Sequence, residues 1–291
     1  MERELFVLLL SVMQTLRDGS FRPRKSRYCD RDIVLTWLWA VLHDRPVSWA
    51  CQRRNWPWHD RTRALPSDAT MSRRLRTDSV KSLSSRVLAS LATLASIDPG
   101  LLIIDAKPVP VSGVTADPDS RFGHANGGVM CNGYKLHSIT DWAGNQVVHE
   151  VHPMNVHEAV VAPRLLERLP RRAGEVLLGD GSYDAGHLYE LAAAGGLQLV
   201  AANRRPGAIG LGHRPISPAR LRAIRLREDY PRLLRCRRRI ETHFATLGNT
   251  TGGLSPLPNH VRRLERVRRW VLGKLIIDAL HRRRRAQQKA S

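Results

Sequence analysis

Two short apolar runs in this chain each stop at an aspartate: Leu101-Leu102-Ile103-Ile104 leads into Asp105, and Glu175 to Leu178 leads through Gly179 into Asp180. A continuous apolar run of this length has no solvent face, so it reads as a buried central strand. A charge placed where such a run ends sits at the edge of the core and needs a compensating partner. The plain alternative for Asp105 is a turn residue closing its strand. Asp180 has a competitor four positions on, Asp184, which reads as the cap of the following helix.

The elements around these runs change period partway along the chain. Residues 1–98 read as all helical and residues 100–285 as mixed α/β, with a turn signal at Asp98-Pro99-Gly100 between them. Glu2 and Glu4 precede the apolar run Phe6 to Val12 and no small-residue cleavage site follows, so that run is expected to be a helix rather than a signal peptide. Ile33, Val34, Trp37, Leu38, Val41 and Leu42 recur at helical spacing behind Asp30 or Asp32. After a shorter segment from Val47 to Arg54 and the Trp56-Pro57-Trp58 sequence, Ser67 caps a short basic helix running to Arg76. The order resembles a helix-turn-helix, which makes Arg73 and Arg74 candidates for DNA contact, with plain surface charge as the alternative. Ser84 to Ile97 forms one more apolar helix. The five tryptophans of this region offer stacking surfaces for bases, although in a helical domain such residues are more often core.

In the second part, Tyr134 to Thr140 and Gln146 to Val151 are strand candidates joined by Asp141-Trp142-Ala143-Gly144-Asn145, which predicts a hairpin. Asn155 and Glu158 start a helix that runs through Leu169; another helix follows Asp184 and stops at Gly195-Gly196; Leu197 to Ala201 is a fifth strand. An irregular loop from Pro206 to Pro218 then leads into a long basic helix. This order matches a ribonuclease-H-like fold: an α/β domain with a mixed sheet flanked by helices, preceded here by a small all-helical domain. In that fold the first strand is central and the fourth lies beside it, so Asp105 and Asp180 meet although 75 positions apart. The expected division is 1–98 for the helical accessory domain, 99–285 for the catalytic domain and 286–291 for a basic tail.

Charge narrows the class of partner. The chain carries 47 Lys and Arg against 26 Asp and Glu, a net of +21, and its pI is about 11.2. Such a surplus repels itself unless it faces a polyanion. No stretch approaches the roughly 18 to 20 apolar residues of a membrane span, so membrane anchoring drops out and nucleic acid is the expected partner. From Arg204 to Lys289 there are 23 Lys and Arg against 5 acids, a net of +18. The four cysteines lie far apart, without a CxxC pair, and read as thiols of a reducing cytoplasm.

The lone acid behind the 204–239 basic cluster is Glu241. With Asp105 and Asp180 it supplies what two-metal phosphoryl transfer requires: hard oxygen ligands for Mg²⁺ or Mn²⁺, one of them shared between two ions. With 26 acids in the chain some such triplet is expected by spacing alone, and Glu241 has a plain alternative as an ion-pair partner for the arginines around it. Strand alternation puts Lys135 and His137 on one face, where they are candidates for phosphate contact, and Arg235, Arg237, Arg238 and Arg239 are candidates because they are expected to share a helix with Glu241. His137, His149, His152 and His157 lack the pairing of a zinc site.

Four segments taken together carry a family resemblance. Leu101 to Val109 (LLIIDAKPV), Gly133 to His137 (GYKLH), Val176 to Asp184 (VLLGDGSYD) and Arg237 to Phe244 (RRRIETHF) resemble, in order, the motifs of bacterial insertion-sequence transposases of the DDE type. The similarity covers about residues 100–275. It implies a catalytic triad of Asp105, Asp180 and Glu241, two Mg²⁺ or Mn²⁺ ions as cofactor, and as substrate the element's own terminal inverted repeats, cleaved and then joined to target DNA. It also implies a homodimer that brings two ends together, and a nucleoid-associated cytoplasmic location. Arg237 stands where such enzymes carry an arginine, whereas Leu234 and Gly248 occupy positions where a tyrosine and a basic residue are common. Two other readings are a ribonuclease-H-like nuclease without strand transfer and an inactive transposase-derived DNA-binding protein.

Overall fold

The computed structural model describes residues 2–16, 26–56, 64–93, 100–111, 116–125, 129–169, 175–202, 216–249, 253–254 and 256–290. In chain order the elements are α1 (Glu2–Thr15), α2 (Asp30–Leu42), α3 (Val47–Ala50), α4 (Asp68–Arg74), α5 (Asp78–Thr93), β1 (Leu101–Pro110), β2 (Arg121–His124), β3 (Met130–Asp141), β4 (Gln146–Pro153), α6 (Glu158–Arg168), β5 (Val176–Gly179), α7 (Gly186–Ala194), β6 (Gln198–Ala201), α8 (Pro218–Asp229), α9 (Arg238–Asn249) and α10 (Leu264–Ala290). The chain separates into two compact units, one of Met1–Ala95, Ser112–Ala116 and Leu247–Ser291, the other of Ser96–Val111 and Asp117–Thr246. Asp98, Pro99, Trp58, Arg204, Arg205 and most of the expected 206–218 loop lie outside the described residues.

The first unit is helical. Its core joins Leu5, Leu9 and Met13 of α1, Ile33, Val34, Trp37 and Leu38 of α2, and Val267, Val271 and Leu275 of α10, all nearly without exposure. Gly273 allows α10 to approach α2 closely, because a Cβ there would lie 3.0 Å from the Trp37 ring and from Val41. Trp39 stacks on Trp56 with ring centroids 5.1 Å apart, and its indole N–H donates to the Asn55 carbonyl at 2.9 Å. Trp37 and Trp39 are therefore core. Ser67 caps α4 by accepting from the Thr70 N–H. On α4 the two candidate arginines part. Arg73 is exposed, whereas Arg74 is buried, donates to Asp30 on α2 at 2.5 Å and to the Tyr28 carbonyl at 2.9 Å. The expectation that Arg74 contacts DNA is corrected on that ground: its guanidinium is buried and neutralises a buried aspartate.

The second unit is built on one sheet with the order β2-β3-β1-β5-β6, and β4 pairs with β3 as well. β1, β3 and β4 are antiparallel, whereas β5 and β6 run parallel to β1. β1 is thus central, flanked by β3 on one side and β5 on the other, which is the ribonuclease-H-like arrangement. The β3–β4 turn closes because the Asp141 carboxylate accepts the Asn145 N–H at 2.7 Å and its side-chain amide at 2.8 Å, with Gly144 taking the left-handed conformation at φ 84°. α6 buries Val161, Ala162, Leu165 and Leu166 against one face of the sheet; its cap is His157, whose ring accepts the Ala159 N–H, rather than Asn155. α7 ends at Gly195, with Gly196 at φ 82°. Among the described residues no helix is long and apolar enough to cross a membrane.

Candidate active site

The ladder between β1 and β5 fixes the first two acids. Leu101 pairs with Val176, Leu102 with Leu177 and Ile103 with Leu178, an offset of 75 residues, the same as separates Asp105 from Asp180. Parallel partners point to the same face, so the two aspartates stand beside each other just past the end of the ladder. Asp105 does not end its strand as the apolar run suggested: β1 continues to Pro110 through its pairing with β3, with Asp105 opposite Ser138. β5 stops at Gly179, and that early stop opens the sheet edge beside Asp105.

Asp180 is held by its own turn. Its carboxylate accepts the Ser182 N–H at 2.9 Å and its carbonyl the Tyr183 N–H at 3.1 Å, closing a 3₁₀ turn over Gly181–Tyr183. The Tyr183 ring folds back over Gly179, where a Cβ would lie 3.0 Å from the ring and 3.2 Å from Ile104. Asp184, the competitor, is used elsewhere: it binds Arg220 through both oxygens at 3.0 and 3.1 Å and accepts the Tyr189 hydroxyl at 3.0 Å, while Ala185 is the capping position of α7.

Glu241 enters on α9, whose buried face of Ile240, His243 and Phe244 packs on the sheet. Ser138 donates to Gln146, and Gln146 meets the His243 ring at 3.0 Å, so the face of β3 that carries Ser138 also anchors the helix. The link between Glu241 and the strand is Arg237. Its Nη1 donates to Asp105 Oδ2 at 3.1 Å and its Nη2 to Glu241 Oε1 at 2.8 Å. Arg235 and Arg237 belong to a 3₁₀ turn, Leu233–Arg237, and not to the helix of Glu241 as expected; the long basic helix is divided in two at Tyr230-Pro231.

Burial pushes the Asp105 carboxyl up to about 7; the Ala106 N–H and Arg237 oppose this, while the charges of Asp180 and Glu241 add to it. Loss of solvent is the main cause, and the neighbouring acids add to it. Among the described residues no three His, Cys, Asp or Glu side chains converge closely enough to hold a metal ion as they stand. The donor set is nevertheless of the hard-oxygen kind that suits Mg²⁺ or Mn²⁺, and a cationic guanidinium already bridges two of its three members.

The remaining candidates separate by sheet face. Lys135 pairs with Pro108 and His137 with Ala106, which puts both on the face opposite Asp105. α6 covers that face. Lys135 is buried and donates to Glu158 at 2.7 Å; His137 is fully buried beside His152, with ring centroids 5.7 Å apart, and burial pushes its imidazole down to about 3. Alternation placed the two on one face correctly, but it is the packed face, so neither is in a position to meet a phosphate. Arg235, Arg238 and Arg239 are exposed, and Arg239 lies over the Trp142 ring at 5.7 Å. One residue was passed over in the sequence: Lys107, two along from Asp105 and so on its face, lies 6.0 Å from the Phe244 ring of α9. The strand period alone was enough to point to it.

A family profile described as transposase DDE domain matches residues 97–277. No curated protein matches the chain. Among solved structures the chain is similar to a piggyBac transposase in a cryo-EM synaptic complex with hairpin DNA, at 10% identity, over 99% of this chain and 73% of that one, with a TM-score of 0.48. The profile spans well over half of the 291 residues and includes all three acids. This chain belongs to the transposase DDE domain family.

Proposed function

We propose that the protein is an insertion-sequence transposase that binds the terminal inverted repeats of its element, cleaves a DNA strand at each end and joins it to target DNA. The observation that carries this reading is the shared 75-residue offset, which sets Asp105 beside Asp180 at an open sheet edge, with Glu241 linked to Asp105 through Arg237. Asp105, Asp180 and Glu241 would hold two Mg²⁺ or Mn²⁺ ions, which when bound activate the attacking oxygen and stabilise the leaving one. β1 carries Asp105, the turn after β5 carries Asp180, and α9 delivers the third carboxylate from the basic segment. Arg235, Arg238 and Arg239 are exposed and would take the phosphates of the strand to be cut. Arg73, exposed on α4, is a separate phosphate contact within the helical unit, and two copies of the chain bring the two ends together.

The test is a strand-transfer assay on DNA bearing matched ends, with Mg²⁺ or Mn²⁺. The wild-type chain gives joined product. Asp105→Asn and Asp180→Asn reduce cleavage by about a hundredfold to a thousandfold, the range seen when a group that stabilises transition-state charge is removed, while leaving end binding largely intact. Nicks without joined product would favour the nuclease reading, and unchanged cleavage in Asp105→Asn would remove the triad assignment.

A further inference from the structure

We infer that Arg237 is a reversible counter-ion for the carboxylates, exchanged for divalent cation when DNA phosphate draws it away, so that metal and DNA load together. The inference rests on the proposed function and concerns the regulation of the same site.

The geometry is specific. One guanidinium forks to two acids on different elements, Asp105 on β1 at 3.1 Å and Glu241 on α9 at 2.8 Å. Each contact is a charge-assisted hydrogen bond, of the stronger sort. An oxygen of each acid is thereby committed to nitrogen, and these are two of the three acids proposed to bind metal. The guanidinium and a cation therefore compete for the same lone pairs, and among the described residues no ready-made metal cluster exists while Arg237 holds them.

Arg237 also has an alternative partner within reach of its neighbours. It ends a five-residue 3₁₀ turn, Leu233–Arg237, and is flanked by exposed Arg235, Arg238 and Arg239, with no acid between Tyr230 and Ile240. A phosphate held by those three presents the same planar pair of oxygens that the guanidinium recognises in carboxylate. Transfer of Arg237 to that phosphate releases Asp105 and Glu241 to a cation. Because binding linkage is reciprocal, bound cation raises affinity for DNA by the same factor as DNA raises affinity for cation. An arginine that merely staples β1 to α9 would show no such exchange: its loss would loosen the site and weaken cation binding.

The experiment titrates Mn²⁺ into the metal-free full chain, following the free-ion resonance signal, with and without a blunt DNA duplex of unrelated sequence and with the DNA-only signal subtracted. Arg237→Ala binds Mn²⁺ about tenfold more tightly than wild type in the absence of DNA, within the usual range of coupling between sites, and gains less from added DNA than wild type does. Arg237→Lys, which keeps the charge but cannot fork to both acids, falls between and guards against a folding defect in the alanine variant. Affinity in both variants equal to or below wild type without DNA, or an enhancement by DNA unchanged in them, overturns the exchange. Asp105→Asn and Asp180→Asn separate the two levels. If they lose Mn²⁺ while the Arg237 variants match wild type, the exchange alone fails; if they bind as wild type, the metal site fails and the exchange with it.

Discussion

Arg73 and Arg74 are adjacent on α4 and have opposite surroundings. Replacing Arg74 by Ala leaves Asp30, 1% exposed, as an uncompensated buried charge and is expected to cost about 3–5 kcal/mol in a denaturant titration. Arg73→Ala is expected to stay within about 0.5 kcal/mol of wild type in the same titration, its effect appearing instead in DNA affinity. A basic helix after Ser67 was legible in the sequence, but which arginine turns inward was not, since that depends on where α2 presents Asp30. Lys135 and His137 teach the same lesson on a strand: alternation gives the shared face and says nothing about which face α6 covers. Asp105 gives a pH signature whose sign follows from its raised value. A carboxyl that binds its proton more tightly in the folded chain loses stability as pH rises from its ordinary 3.8 to about 7, and contributes no further slope above that. Metal-free wild type should therefore unfold at a lower temperature at about pH 8 than at about pH 5 by more than Asp105→Asn does, measured by thermal melts in chelator. An identical pH profile for the two would show that Asp105 keeps an ordinary carboxyl.

At the scale of elements, the positions of β5 and its turn matter most. The Tyr183 ring occupies the space above Gly179, so Gly179→Ala must push against that ring and Ile104, both fully packed. The expected cost is about 1–3 kcal/mol of overpacking, and because the same turn carries Asp180, cleavage should fall more than end binding does. Equal loss of both would point to general unfolding. The apolar runs that announced β1 and β5 are legible because buried parallel strands have no polar face to interrupt them. β2 left no such sign: it has four residues, and Phe122 on it is 67% exposed, so neither length nor burial marks it. The split between α8 and α9 was available in principle, since Pro231 offers no N–H to continue a helix and disfavours helical backbone at Tyr230.

For the whole molecule, the +21 net charge sets how binding should respond to salt. Affinity for end DNA is expected to fall steeply and linearly on a logarithmic salt axis, with a slope of about −0.9 per phosphate neutralised. A flat response in a filter-binding or anisotropy series would contradict a phosphate-led interface. The grouping of α10 with the N-terminal helices in one compact unit was not legible, because contacts such as Lys274 with Asp44 and Arg284 with Glu4 join residues more than 200 positions apart and leave no local pattern. Apart from β2, the order of the sheet was legible, because the other strands announce themselves locally and few topologies connect them without crossing. That sheet also makes the distance along the chain between Asp105 and Asp180 irrelevant to their meeting. Residues inserted at the exposed Ala143 in the β3–β4 turn would lengthen the path between the acids and leave the hydrogen-bonded ladder of β1 and β5 as it is. Members of such a family are then free to differ widely in the count between their first two acids, and an added module grafted at that turn would travel outside the site while the pair stays in step.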